Sequence, residues 1–327
     1  MSFELMCTCG PTLKDPAMIA KVIQEGVQTI RINFSHGTAV DHENYFNLIQ
    51  EGSKLAGMPI KVMGDIQGPK FRIGLFESKK ILLQRAQSFT LDSSKQPGSQ
   101  HRVYLPHPEI FEAAEVGDEL LLADGLAILQ IIGKSPQKLE CVVIKAAEIG
   151  DCKGISLPAR QINCEFINES DLVSIQTANK LKIDVLMLSF VQCLEDVQKA
   201  RKLFSGHLMA KIETPAALRN LKEIAGAADS VLIARGDLGV EAGLAQICFN
   251  QKWICRQLKD ENVKIYAATQ FLESLVTKRE PTRAEANDIY QARKDGICGI
   301  LLTGETANGV DPLNAVKWLK RLAEAGK

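Results

Sequence analysis

The chain has 327 residues, 39 basic and 39 acidic side chains, and 46% hydrophobic residues. This is an ordinary soluble globular composition, long enough for one large core and an additional domain, and its balanced charge argues against nucleic acid or a membrane surface as a partner. No apolar stretch approaches membrane-spanning length, and the N-terminus MSFELMCTCG lacks the layout of a secretory signal. Nine scattered cysteines without a CxxC pair fit reduced thiols in a cytoplasmic protein better than a disulfide framework or a zinc site.

In chain order, strand-like apolar runs occupy 3–9, 27–34, 60–66, 185–191, 207–213, 230–237, 264–270 and 299–305. They are nearly continuous in apolar residues, as parallel strands buried on both faces should be. Cys7 and Cys9 read as small buried residues of the first strand. A helix follows it, with Asp15 as N-cap, Pro16 at the first helical position, Ile19, Val22 and Ile23 on its inner face and Gly26 at its end. Pro281 opens another, with Ala286, Ile289 and Tyr290 on one side. The last starts at Pro312 and turns Leu313, Val316 and Leu319 inward.

Eight strands alternating with helices predict a (β/α)8 TIM barrel. A doubly wound open sheet is less apt, because it would rarely need eight parallel strands and the chain offers no GxGxxG. The segment between the third and fourth strands is far too long for one loop and helix. Within it, 73–157 breaks into KKILLQ, SFTL, RVYL, ELLLADG, LAILQII and LECVVIKA, punctuated by turn residues, which predicts a small inserted all-β lid domain. The barrel is then expected from 1–72 and 158–327, about 240 residues and a usual size for this fold.

Chemistry in such barrels sits at the C-terminal strand ends. Reading round, those ends carry Arg31, Asn33, Ser35 and His36, then Asp65 with Lys70 and Arg72 just after, then Ser189. Lys211 and Glu213, Arg235 and Asp237, Thr269, and finally Thr303 and Glu305 complete the set. Charges at the tips of buried strands are costly unless they meet a metal or a charged ligand. Glu213 and Asp237 supply hard oxygen ligands for Mg²⁺ or Mn²⁺, and Lys211 between them is a cationic electrophile for a developing oxyanion. Arg31, Arg72 and Arg235 are candidates for phosphoryl or carboxylate oxygens, and Gly236 for a backbone N–H contact. Together these point to phosphoryl transfer or enolate stabilisation.

CTCGPTLKDP, RINFSHGT, GDIQGPKFRIG, LSFVQ, MAKIETPAAL, VLIARGDLGVE, AATQFLES, PTRAEANDI and LLTGETANG together resemble, in order and along essentially the whole chain, the strand-end motifs of the pyruvate kinase family. The resemblance implies transfer of a phosphoryl group from phosphoenolpyruvate to a nucleoside diphosphate, normally ADP, giving pyruvate and ATP. It implies Glu213 and Asp237 as ligands of Mg²⁺ (or Mn²⁺), with Lys211, Thr269 and Arg31 as catalytic residues. The substrate would be bound by Arg31, Lys211, Gly236, Asp237, Thr269 and Ser189. Asn33, Ser35 and Asp65 match the family's monovalent-cation ligands, His36 and Arg72 its nucleotide side, and Asp124 the acidic residue of its lid. Lys70, in DxQGPK, stands where potassium-dependent members carry glutamate, so K⁺ is expected not to be required.

The sequence departs from the family pattern on the nucleotide side, where Ser170 and Asn308 replace lysines; Gln192 also replaces an arginine. The sequence stops after the eighth barrel helix, so the family's C-terminal effector domain is expected to be absent and any homo-oligomer to form through the barrel. Two alternatives remain at this level. One is a metal-dependent pyruvate-enolate enzyme such as a 2-oxo acid aldolase. The other is a non-catalytic regulatory paralogue that binds phosphoenolpyruvate or a protein partner.

Overall fold

In the computed structural model, residues 3–158, 160 and 162–325 are described. The chain divides into two compact units. One comprises the segments up to Gly68, Phe166–Leu238 and from Ala245 onward; the other comprises Pro69–Glu165 and Gly239–Leu244.

The first unit opens with β1 (Glu4–Thr8), β2 (Val27–Asn33) and β3 (Lys61–Asp65). The second unit supplies β4 (Lys80–Leu83), β5 (Ser88–Asp92), β6 (Arg102–Tyr104), β7 (Glu119–Leu122), β8 (Ala127–Ser135), β9 (Lys138–Lys145), β10 (Ala147–Gly150) and β11 (Ile155–Ser156). The first unit resumes with β12 (Val185–Leu188), β13 (His207–Ile212), β14 (Ser230–Ala234), β15 (Lys264–Ala268) and β16 (Gly299–Leu301). Its strands close in the order β1-β16-β15-β14-β13-β12-β3-β2, every neighbouring pair parallel. This is the expected (β/α)8 barrel.

Alternation along the strands explains the core. Met6, Met63, Met187, Met209, Leu232 and Tyr266 form part of one buried cluster. Unbranched methionines suit such a space because their flexible stems fill irregular gaps. The adjacent thiols of Cys7 and Cys9 are buried; burial holds the Cys7 thiol far above its usual range and pushes Cys9 up to about 12.

The helices start where local chemistry allows. Asp15 accepts a hydrogen bond from the Met18 N–H (3.1 Å) at the head of the helix Pro16–Gln24, whose Ile19, Val22 and Ile23 are buried. Thr282, rather than Pro281, caps the helix Arg283–Lys294 through a reciprocal box with Glu285. Ile289 and Ala292 form the buried face of that helix, which leaves Tyr290 41% exposed, contrary to the sequence expectation. One residue step on a helix turns a side chain by roughly 100°, and the Tyr290 ring instead meets the Lys294 ammonium at 5.4 Å.

The second unit holds a six-stranded sheet in the order β11-β7-β8-β9-β5-β6 and a two-stranded pair β10-β4. Its own core includes Phe89, Leu91, Leu120, Leu129 and Val143. It also contains the helix Pro108–Ala113, too short for a helical period to stand out among the surrounding turns.

Candidate active site

The barrel closes four charged side chains into one network. Asp65, at the end of β3, accepts at a single oxygen, Oδ2, from Arg31 Nε (2.8 Å) and Nη2 (2.5 Å). Its other oxygen, Oδ1, accepts from the Ser189 hydroxyl (3.1 Å) and lies 3.6 Å from Lys211 Nζ. Lys211 in turn donates to Ser189 Oγ (2.8 Å) and sits 2.9 Å from Glu213 Oε1. Burial opposes the Asp65 charge, but Lys211 and Arg31 outweigh it and hold the carboxyl below its usual range.

Glu213 bears the cost of this arrangement. It is fully buried, and its Oε2 accepts a hydrogen bond from the Phe190 N–H at 2.6 Å. Its Oε1 lies 2.9 Å from Lys211 Nζ and has no other partner among the described residues. Burial pushes this carboxyl up to about 7, with Lys211 pulling the other way and the neighbouring Asp237 adding to the rise. Lys211 shows the converse. Burial would lower its pKa, but Asp65, Glu213 and Asp237 hold it above its usual value.

A divalent cation fits these residues. An orphaned carboxylate oxygen, two mutually repelling carboxylates and a set of hard oxygen donors are what such an ion relieves. Among the described residues no three His, Cys, Asp or Glu side chains form a closed cage. The pair would therefore leave coordination positions for water or substrate oxygens, the arrangement Mg²⁺ prefers.

Asp237 reaches the site differently from Glu213. Arg235, Gly236 and Asp237 are not a strand tip, as the apolar run suggested, but the first turn of the helix Arg235–Glu241. The Gly236 N–H donates to Thr269 Oγ1 at 2.7 Å, so the glycine and the threonine form one unit. A Cβ at Gly236 would approach that hydroxyl to 3.3 Å.

Arg235 is not available for an anion, against expectation. It is 8% exposed, pairs with Asp288 through Nη1 (2.6 Å) and donates to the carbonyls of Thr269 and Gln270. Glu305 is likewise occupied with structure, accepting from the Leu272 and Thr303 N–H groups at 3.1 and 2.7 Å.

The other candidates are less gathered. Asn33 Oδ1 accepts from the Ser35 N–H (3.1 Å) in a local turn, and His36 is exposed, its carbonyl meeting His42 Nε2 at 2.8 Å. Lys70, Arg72 and Asp124 belong to the second unit. There Lys70 Nζ lies 3.7 Å from Asp124 Oδ1, and Arg72 Nη1 donates to the Cys152 carbonyl (3.0 Å). Ser170 lies in the first turn of the helix Glu169–Leu181, and Asn308 caps the helix Gly304–Ala307. The Gln192 N–H donates to Asp196 Oδ2 (2.9 Å), and its carbonyl accepts from Asn220.

Sequence reasoning passed over Phe190 and Asp288. Phe190 acts through a backbone N–H, set by a left-handed φ of +56° that its side chain does nothing to advertise. Asp288 is a lone acidic residue on a polar helix face, with no local pattern to mark it.

The family model for the barrel domain of pyruvate kinase matches residues 2–316. A pyruvate kinase of Agrobacterium vitis is 35% identical over 324 residues, covering 98% of this chain and 68% of the relative. One from Methylorubrum extorquens is 36% identical, again over 98% and 68% of the two chains. The crystal structure of a pyruvate kinase from Cryptosporidium parvum superposes with a TM-score of 0.94 at 29% identity, covering 98% of this chain and 68% of that one.

Proposed function

The chain belongs to the pyruvate kinase family, and from that premise we propose a residue-level account of how it moves a phosphoryl group from phosphoenolpyruvate to ADP. The observation that carries the account is the buried cluster of Lys211, Glu213 and Asp65 at the barrel strand ends, with Asp237 close enough for its charge to act on it.

The family uses a divalent metal, and Glu213 and Asp237 are the residues that would hold Mg²⁺ or Mn²⁺ here. When bound, the cation supplies Lewis acidity toward the carboxylate and enol oxygens of the substrate. Arg31 binds the phosphoryl group. Asp65 and Thr8 engage three of its N–H groups, which orients the guanidinium and leaves the rest of its five donors for an anion. Gly236, Asp237 and Thr269 bind the substrate carboxylate. Ser189 steers the Lys211 ammonium by accepting one of its hydrogens.

Transfer breaks the bond between phosphorus and the enol oxygen and forms one to a terminal oxygen of the nucleoside diphosphate. The electron pair left on the enol oxygen is where Lys211 contributes. Held by Ser189 and Asp65, the ammonium would direct a donor at the oxygen that gains charge, which favours the transition state over the ground state. The enolate carbon then takes a proton from solvent, by a route that passes near the Thr269 hydroxyl in this assignment.

By resemblance to the family, His36 and Arg72 are assigned to nucleotide binding and Asp124 to the lid, while Ser170 and Asn308 leave fewer cationic residues than the family pattern. Lys70 supplies a fixed positive charge in place of a potassium ion. Among the described residues no helix is long and apolar enough to cross a membrane.

The test is a steady-state assay of pyruvate formation from phosphoenolpyruvate across a panel of nucleoside diphosphates, with Lys211→Met alongside. Turnover that depends on ADP and collapses in the variant is expected. Pyruvate formation that ignores ADP and survives the substitution would overturn the account.

A further inference from the structure

Two consecutive residues beside the site, Thr269 and Gln270, carry left-handed φ angles of +70° and +56°. L-residues avoid this region, and a β-branched threonine most of all. Such a pair persists only where its surroundings over-determine it. The restraint is Arg235. Its Nη2 donates to both strained carbonyls, Thr269 O and Gln270 O, each at 3.0 Å, and its Nε reaches Thr269 O at 3.3 Å.

Arg235 itself sits in an awkward place. It begins the helix Arg235–Glu241, where a cation opposes the helix dipole, and it is almost wholly buried. Two contacts make that tolerable. The guanidinium stacks on the buried Phe271 ring at 3.5 Å, and Asp288 Oδ2 accepts from Nη1 at 2.6 Å. Asp288 comes from the separate helix Arg283–Lys294.

We propose that Asp288 is a positioning residue: through Arg235 it holds the Thr269–Gln270 turn in its left-handed conformation and so aims the Thr269 hydroxyl, to which the Gly236 amide is tied, at the substrate carboxylate. This rests on the reading of the site given above. The Thr269 hydroxyl is the last link, since it accepts the Gly236 N–H at 2.7 Å. Without the Asp288 charge, the guanidinium is free to leave the two carbonyls, the turn relaxes, and the Thr269 hydroxyl moves with it.

A double-mutant cycle tests this. Asp288→Asn keeps the side-chain size and removes the charge; Thr269→Ala removes the group it is said to place. Asp288→Asn is expected to lower pyruvate turnover about tenfold with a smaller change in KM for phosphoenolpyruvate, and to cost less than about twofold once Thr269→Ala is present. Asp295→Asn removes an equally short ion pair with Lys252 (2.6 Å) at the end of the same helix, and is expected to leave turnover unchanged. Equal losses from Asp288→Asn in both backgrounds, or no loss at all, would overturn the proposal. If Asp288→Asn fails to fold in a thermal melt, Asp288→Ser takes its place in the same cycle. Unaltered protein that forms no pyruvate rejects the functional reading and this proposal with it, whereas an active protein with an additive cycle rejects the role of Asp288 alone.

Discussion

Lys211 Nζ lies 2.9 Å from Glu213 Oε1, and that fully buried oxygen has no other partner among the described residues. An ion pair held this way is poorly satisfied, since a buried carboxylate needs its lone pairs occupied to recover the cost of leaving water. The shortfall belongs to a site arranged for something other than its own stability. It also makes the pair sensitive to substitution in ways that separate function from folding.

Lys211→Met removes the ammonium that faces both Asp65 and Glu213. Losing one well-placed electrostatic donor costs about a hundred- to a thousandfold in turnover. The same change leaves the buried Glu213 carboxylate without its cation, while Asp65 keeps Arg31, and removing one partner of a buried pair costs about 3–5 kcal/mol. Steady-state kinetics and a denaturant titration on the same preparation measure both effects, and a variant that keeps wild-type turnover would contradict the role given to Lys211.

Glu213→Gln has opposite consequences for stability and activity. The Glu213 carboxyl is raised from its ordinary value near 4.5 to about 7, chiefly by burial. The native state therefore holds this proton more tightly than the unfolded chain does. Its contribution is fully present below the ordinary value and is lost as pH rises through about 7. In metal-free protein the glutamine variant is expected to melt higher than wild type at about pH 8, with the difference vanishing near pH 5. Mg²⁺ raises the wild-type melting temperature by linkage but leaves the variant's unmoved. Thermal melts with and without the ion decide this, and an equal Mg²⁺ response in both proteins would remove Glu213 from the metal site.

Potassium gives a third check. If Lys70 supplies the positive charge in place of the ion, addition of K⁺ to a K⁺-free assay is expected to leave the rate unchanged. A strong activation would show that the ammonium does not replace the ion.

Gly68→Ala probes the backbone behind Ser189. Gly68 has φ +65°, and a Cβ there would fall 2.3 Å from the Ser189 carbonyl oxygen. Its N–H also donates to the buried Asp171 at 3.1 Å, so the loop cannot move away freely. The left-handed geometry alone costs an alanine about 1–2 kcal/mol, and the clash adds to it. Equilibrium unfolding should show a larger loss than that, with reduced turnover because Ser189 orients Lys211. An alanine variant as stable as wild type would mean that the Gly68 loop has room that its geometry denies.

By itself the sequence determined the elements and the order of the strand ends. Continuous apolar runs mark strands buried on both faces, capping residues such as Asp15 mark helix starts, and polar residues that interrupt the runs mark the ends. The motifs around Arg31, Asp65, Lys211, Glu213, Asp237 and Thr269 could therefore be placed at the chemical face before any coordinates. What only the tertiary structure decided is how those charges are spent. Arg235 looks like an anion ligand in the chain, but barrel closure sets it against Thr269, Gln270 and Asp288, where it holds backbone instead. Asp65 and Lys211 are distant in sequence, and Ser189 joins them only once β12 lies between β3 and β13. The physical reason is that local pattern encodes which residues leave water and with what period. The angle at which a side chain meets its partner depends on strands that the chain brings together much later.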